Sequence, residues 1–83
     1  MIVRGRVQGV FFRDSTRRLA RRHGVAGWVS NRADGAVEAV FEGEADAVAR
    51  LVALSREGPP GAQVESIEVT EEEPEGLSGF GVR

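Results

Sequence analysis

Apolar residues recur at helical spacing in two stretches of this chain, and each stretch is bracketed by short runs in which apolar and polar residues alternate. That order of periodicities restricts the architecture more than any other property of the sequence. Ile2, Val3 and Val7 mark a short first strand leading into Gly5-Arg6-Val7-Gln8-Gly9-Val10, where two glycines punctuate the pattern. Phe12, Thr16, Leu19, Ala20 and His23 then share one face of a helix over roughly residues 13–23, with Gly24 just past its end. Arg17, Arg18, Arg21 and Arg22 fall on its outward positions, favourable late in a helix whose C-terminus is partly negative. Asp14 can pair with Arg18 one turn on.

Val25 to Ser30 reads as a strand, Asn31-Arg32-Ala33-Asp34-Gly35 as a turn and Ala36 to Glu42 as the returning strand, a β-hairpin with an Asp-Gly signal. Ala45, Val48, Leu51 and Val52 share one face of a second helix over roughly residues 44–57, ended by Gly58-Pro59-Pro60-Gly61. A further strand covers Val64 to Thr70, with Ile67 and Val69 on one side. The acidic stretch from Glu71 to Gly79 leads to a short apolar tail, Phe80 and Val82, which leaves room for an extra edge strand. The order β-α-β-β-α-β has few right-handed, uncrossed solutions. The commonest is a ferredoxin-like α/β sandwich of the α+β class, an antiparallel sheet with both helices on one face. Residues 1–83 are expected to form one domain of this kind. Such a fold hosts many functions and selects none of them.

Composition narrows the chemistry. The chain has no cysteine, and its eleven basic residues are all Arg. Disulfides, thiolate metal sites and cysteine nucleophiles are excluded, and so are a Walker A lysine and Schiff-base chemistry. With His23 as the single histidine, a multi-His metal site is impossible. Ser15 and His23 lie more than two helical turns apart, so they form no triad with Asp14. What remains for catalysis is Arg, Asn, Asp, Glu, Ser and backbone amides. Residues 1–32 hold eight Arg against Asp14 alone, a net +7, whereas residues 33–83 hold three Arg against twelve acids, a net −9. A basic first half suits an anion, a nucleic acid or an acidic surface, and equally a solvated helix face. No apolar run approaches about eighteen residues and no signal peptide precedes Arg4, so a cytoplasmic protein without a membrane anchor is expected.

The stretch from Gly5 to Arg13 is the most informative. Glycines allow a curled backbone, and a helix begins immediately afterwards. Inward-pointing N–H groups, the unpaired amides of a helix N-terminus and its partial positive charge together favour a phosphate or a carboxylate, and Arg13 adds a bidentate guanidinium. A merely structural turn has the same spacing, and spacing does not decide between them.

The run Gly5-Arg6-Val7-Gln8-Gly9-Val10 to Phe12-Arg13, followed by Gly27-Trp28-Val29-Ser30-Asn31 and Asp34-Gly35, resembles the acylphosphatase family in wording, order and interval. Gly58-Pro59-Pro60 and the closing Gly79-Phe80-Gly81-Val82-Arg83 extend the resemblance over nearly the whole chain, with less specific matches. The resemblance implies a small stand-alone hydrolase of acyl phosphates, with no metal, no cofactor and no covalent intermediate. It puts the phosphate-binding arginine on Arg13 and the cradle on the backbone amides of Gln8, Gly9, Val10, Phe11 and Phe12. The water-orienting asparagine falls on Asn31. Inorganic phosphate is the expected product and competitive inhibitor, and a monomer that binds neither nucleic acid nor membrane is expected. Two departures stand out: Phe11 occupies a position often held by Gly or another small residue, and the first strand starts closer to the beginning of the chain than is usual.

The chemistry is consistent with these residues. Phosphoryl transfer to water has a loose transition state, so positioning and charge stabilisation suffice without a strong nucleophile. A departing carboxylate has a conjugate acid of pKa about 4 and leaves without a general acid, unlike an alkoxide. Acyl phosphates therefore fit, and simple phosphate monoesters do not. Trp28 reads as core or sheet packing, His23 as a helix-end residue, and Glu71-Glu72-Glu73 as a solvated strand end. Two other readings compete. A ferredoxin-like RNA-binding module predicts aromatics on exposed central strands, where Ala36 to Gly43 offers Phe41 alone. A carbamoyl-phosphate-handling domain, similar to the first domain of hydrogenase-maturation carbamoyltransferases, would continue into further domains.

Overall fold

The structure, a computed structural model, describes residues 1–83. Its elements follow the order β1 (Ile2–Arg6), α1 (Phe12–Arg22), β2 (Ala26–Asn31), β3 (Val37–Glu42), α2 (Ala45–Glu57), β4 (Gln63–Glu68) and β5 (Phe80–Val82). The sheet order is β4-β1-β3-β2-β5. The first four of these strands pair antiparallel, as the ferredoxin-like reading requires, and α1 and α2 pack against the sheet and each other. The short apolar tail adds β5 parallel to β2, so the sheet is mixed rather than purely antiparallel.

Alternation along the strands builds the core. Val3, Val29, Val37, Ala39 and Phe80 lie on the helix-covered face and are buried together with Phe12, Ala20 and Leu51 from the helices. On α1 the buried positions Phe12, Thr16 and Ala20 recur every four residues, and the Thr16 hydroxyl donates to the Phe12 carbonyl at 2.9 Å, so its burial leaves no polar group unmet. The chain leaves α1 through His23 and Gly24, and the Val25 amide returns to the Ala20 carbonyl at 2.9 Å. On α2 the inward side is Ala47, Val48, Leu51 and Ser55, and Ala45 is exposed; the stripe is rotated from the expected one because Ala45 is the first residue of the helix. Trp28 alternates with Val29 onto the face away from the helices, where the Arg83 guanidinium stacks 4.3 Å from its ring centre. It therefore packs on the sheet and takes no part in the core.

One irregularity in the sheet is informative. Arg4 pairs with Ser66 and Gly5 with Val64, so Glu65 is an extra residue on β4. The inserted residue lets Val64 and Ile67, three apart, both pack against the core. β4 stops at Glu68, which leaves Val69 outside the strand and exposed, contrary to its expected place beside Ile67. Gly5 is required at this bulge: its φ is +131°, and a Cβ there would run into the Gln63 carbonyl oxygen. The bulge lies opposite Gly5, just before the loop that carries the candidate site.

Candidate active site

β1 and β2 are each antiparallel to β3, which lies between them, and β5 is parallel to β2. The C-terminal ends of β1, β2 and β5 thus meet at one end of the sheet. The loop of residues 7–11 turns there from β1 into α1, so the first turn of α1 faces the same end.

Within that loop Val7 is buried and anchors the curl, and Gly9 takes a left-handed φ of 73° that a side chain would resist. Phe11 is left-handed as well, with φ 63° and ψ 22°, immediately before α1. From Gln8 to Asp14 no backbone N–H donates to any backbone carbonyl of the chain; the first such bond of the helix is Ser15 N–H to the Phe11 carbonyl at 3.0 Å. A helix start ordinarily leaves its first few amides free. Here the loop before it adds the amides of Gln8, Gly9, Val10 and Phe11 to that set. A run of free donors at the positive end of a helix dipole suits an anion in geometry and in field.

Arg13, in the first turn, is exposed and has no ion pair in the chain. Asp14 beside it is engaged elsewhere, pairing with Arg17 and Arg18. The acid that would otherwise compete for Arg13 is thereby occupied. Asn31 ends β2 and continues the side-chain alternation of Val29, which brings it out on the helix side of the sheet. The sequence pattern places Asn31 in the hairpin turn; in the structure the β2–β3 ladder extends one residue further and makes it the last strand residue, paired with Val37. Arg13 and Asn31 line one depression of about 380 Å³, together with Val7, Gly9, Phe11, Phe12, Asp14, Arg17 and Val82.

Gln8 has a second role that its place in a glycine-rich loop did not suggest. Its side-chain amide donates to the carbonyls of Arg32 and Ala36, at 2.8 and 2.9 Å. The Ala36 carbonyl also accepts the Arg32 N–H at 2.8 Å, which closes the β2–β3 hairpin. Gln8 therefore straps the loop carrying the free amides to the hairpin carrying Asn31. No sequence signal marks this, because the partners lie 24 and 28 residues away. The hairpin is braced from its other side by Asp34, which accepts the Ala36 N–H at 3.1 Å and the side chains of Arg4 and Arg32. The backbone hydrogen bond from Ala36 foremost, then those two guanidiniums, hold the Asp34 carboxyl below its ordinary pKa. Val82, on β5, closes a further wall of the depression and was legible only as part of an apolar tail.

The remaining candidates fall elsewhere. His23 caps the far end of α1, about 15 Å along the helix from its start. Glu71, Glu72 and Glu73 are exposed, and nowhere do three His, Asp or Glu side chains converge. No helix is long and apolar enough to cross a membrane.

Comparison with known proteins bears on this geometry. A family model described as Acylphosphatase matches residues 1–82. A protein of Rubrobacter xylanophilus named Acylphosphatase is 66% identical over 83 residues, covering 98% of this chain and 74% of the relative. The crystal structure of acylphosphatase from Bacillus subtilis superposes with a TM-score of 0.95 at 41% identity, covering 99% of this chain and 92% of that one. Full-length HypF in its phosphate- and nucleotide-bound form contains a similar fold, with a TM-score of 0.89 at 28% identity, over 99% of this chain and 11% of HypF.

Proposed function

Because the chain belongs to the acylphosphatase family, we propose that it hydrolyses the carboxyl–phosphate bond of acyl phosphates, with Arg13 and the amides of Gln8, Gly9, Val10, Phe11 and Phe12 holding the phosphoryl group and Asn31 holding the attacking water. The observation that carries this reading is the unbroken run of free amide donors from Gln8 to Asp14, next to an Arg13 without an ion pair. Donors and guanidinium are fixed before substrate arrives, so little reorganisation is needed as charge moves onto the phosphoryl oxygens.

In the proposed reaction the water oxygen forms a bond to phosphorus while the phosphorus–acyl oxygen bond breaks. The bonding pair leaves on the carboxylate, and the water protons remain on the phosphate, so an acyl phosphate dianion and water give a carboxylate and dihydrogen phosphate. No group need protonate the leaving oxygen, since carboxylates have conjugate-acid pKa values of about 4. Inorganic phosphate fits the same cradle and should compete with substrate. Residues 1–83 acting as one domain, as a monomer and in the cytoplasm, belong to the same proposal.

The test is the loss of benzoyl phosphate in the presence of excess chelator. Saturable turnover that chelator leaves intact, with competitive inhibition by phosphate, is expected. A folded protein with no turnover would reduce the site to an anion-binding module, and phosphate and RNA titrations would then separate those two, since RNA binding weakens steeply with salt.

Gln8 supplies a further prediction. Gln8→Ala removes both hydrogen bonds to the hairpin and should cost about 1–3 kcal/mol in stability, through two half-buried carbonyls that lose a donor. It should also lower kcat by about tenfold, because the cradle and Asn31 are no longer held in register. Urea denaturation and steady-state kinetics measure the two effects, and a stability loss with kcat intact would make Gln8 a structural strap alone.

A further inference from the structure

Phe11 combines a strained backbone with an exposed apolar ring. Its backbone is left-handed, a conformation that glycine adopts freely and a bulky residue resists. Its ring is 80% exposed. Isolated exposed apolar side chains are ordinary on protein surfaces. The distribution here is not random, however: the strongly exposed large hydrophobics are Phe11, Val69 and Val82, and two of these three line the depression that holds Arg13 and Asn31. They reach it from opposite ends of the chain, Phe11 from the β1–α1 loop and Val82 from β5.

Their surroundings hold both residues in place. The helix that starts at Phe12 and the buried Phe12 ring fix the position of Phe11. Val82 is held by β5, which pairs with β2 and receives a hydrogen bond from the Arg21 side chain to the Phe80 carbonyl at 3.1 Å. The Glu42 carboxylate accepts the amides of Glu75 and Leu77 and so tethers the segment that leads into β5. A volume of about 380 Å³ leaves room beyond a phosphoryl group, and it lies at the lower end of the roughly 300–1,000 Å³ of small-molecule sites.

We propose that Phe11 and Val82 form an apolar clamp for the acyl group, which makes the chain selective for acyl phosphates with a flat aromatic or bulky apolar acyl part over short ones. This rests on the hydrolase reading above. With the phosphoryl group held by Arg13 and the cradle, the acyl group must lie in the remainder of the depression, where these two side chains supply the exposed apolar surface. Substrate binding covers the Phe11 ring and recovers the hydrophobic free energy that the unliganded protein forgoes.

The experiment compares kcat/KM for benzoyl phosphate and acetyl phosphate in the wild type, Phe11→Gly and Val82→Thr, with thermal denaturation of each. Both substrates use the same cradle, so any disturbance of the Phe11 amide cancels in their ratio. In Phe11→Gly the benzoyl-to-acetyl ratio should fall by about threefold to tenfold, through KM for benzoyl phosphate, the effect of losing one aromatic contact. Val82→Thr keeps the β-branched shape and should lower the ratio by about twofold to threefold. The Tm of Phe11→Gly should equal or exceed that of the wild type, because glycine relieves the left-handed backbone, whereas a packing role for the ring would lower it. If both substrates turn over and the ratio is the same in all three proteins, the clamp is overturned and the hydrolase stands. If the folded wild type hydrolyses neither substrate, the hydrolase reading fails and the clamp fails with it.

Discussion

Arg13→Ala is expected to lower kcat/KM for benzoyl phosphate by at least about 10²-fold while leaving the protein as stable as the wild type or slightly more so. The loss follows from removing the one guanidinium of the first turn of α1 that has no acid to satisfy it. Charge-stabilising donors aimed at the reacting group contribute on this scale, and the remaining amides do not replace a full positive charge. The stability half of the prediction separates function from structure. Arg13 is exposed and makes no ion pair, and a cation at a helix N-terminus opposes the dipole by about 0.3–1 kcal/mol, so alanine relieves a repulsion. Initial rates across a range of benzoyl phosphate concentrations, paired with a denaturation curve, measure both. Arg13→Lys should recover part of the activity, as a point charge lacking the planar fork that matches two phosphoryl oxygens. Full activity in Arg13→Ala would remove Arg13 from the site.

Asn31→Ala should reduce kcat by a similar factor, about 10²-fold, and leave the inhibition constant of inorganic phosphate within about twofold of the wild type. Asn31 stands at the end of β2, across the depression from the cradle loop, and its proposed target is water, not the anion. Its backbone pairing with Val37 survives the substitution, so the hairpin and the Gln8 strap remain. Phosphate inhibition and turnover measured on the same sample give the contrast with Arg13→Ala, in which both should deteriorate. If Asn31→Ala instead weakens phosphate binding and turns over normally at saturation, Asn31 is an anion ligand and the water must be oriented by another group.

Much of this architecture could be read directly from residue order. The stripe Phe12, Thr16, Ala20 is a local pattern, and burial follows it. The Asp-Gly signal marks a hairpin whose turn is braced by Asp34 and whose strands pair from Ala26 with Glu42 to Asn31 with Val37. The glycines before α1 and Arg13 after them are adjacent in sequence, so the loop with its free amides and the arginine beside it stand out together as one candidate. Other features were not accessible in this way. Period-two alternation continues from Ile67 through Val69, but β4 ends at Glu68, where its pairing with β1 runs out at Ile2, and Val69 is left exposed. Ala45 fitted the helical stripe and is exposed at the helix start. The left-handed backbone of Phe11 contradicts its own preference, so the departure from a small residue was visible while its conformation was not.

Residue order was enough to specify β1 to β4, both helices, a basic glycine-rich loop and an asparagine at the hairpin, because these depend on neighbours a few positions apart. The tertiary structure alone decided that the loop, Asn31 and Val82 share one depression, that Gln8 ties the first to the second, and that β5 joins parallel to β2. Those features rest on strand order and register across tens of residues. There the choice of partner is made by the packing of the whole core rather than by any local pattern that a sequence displays.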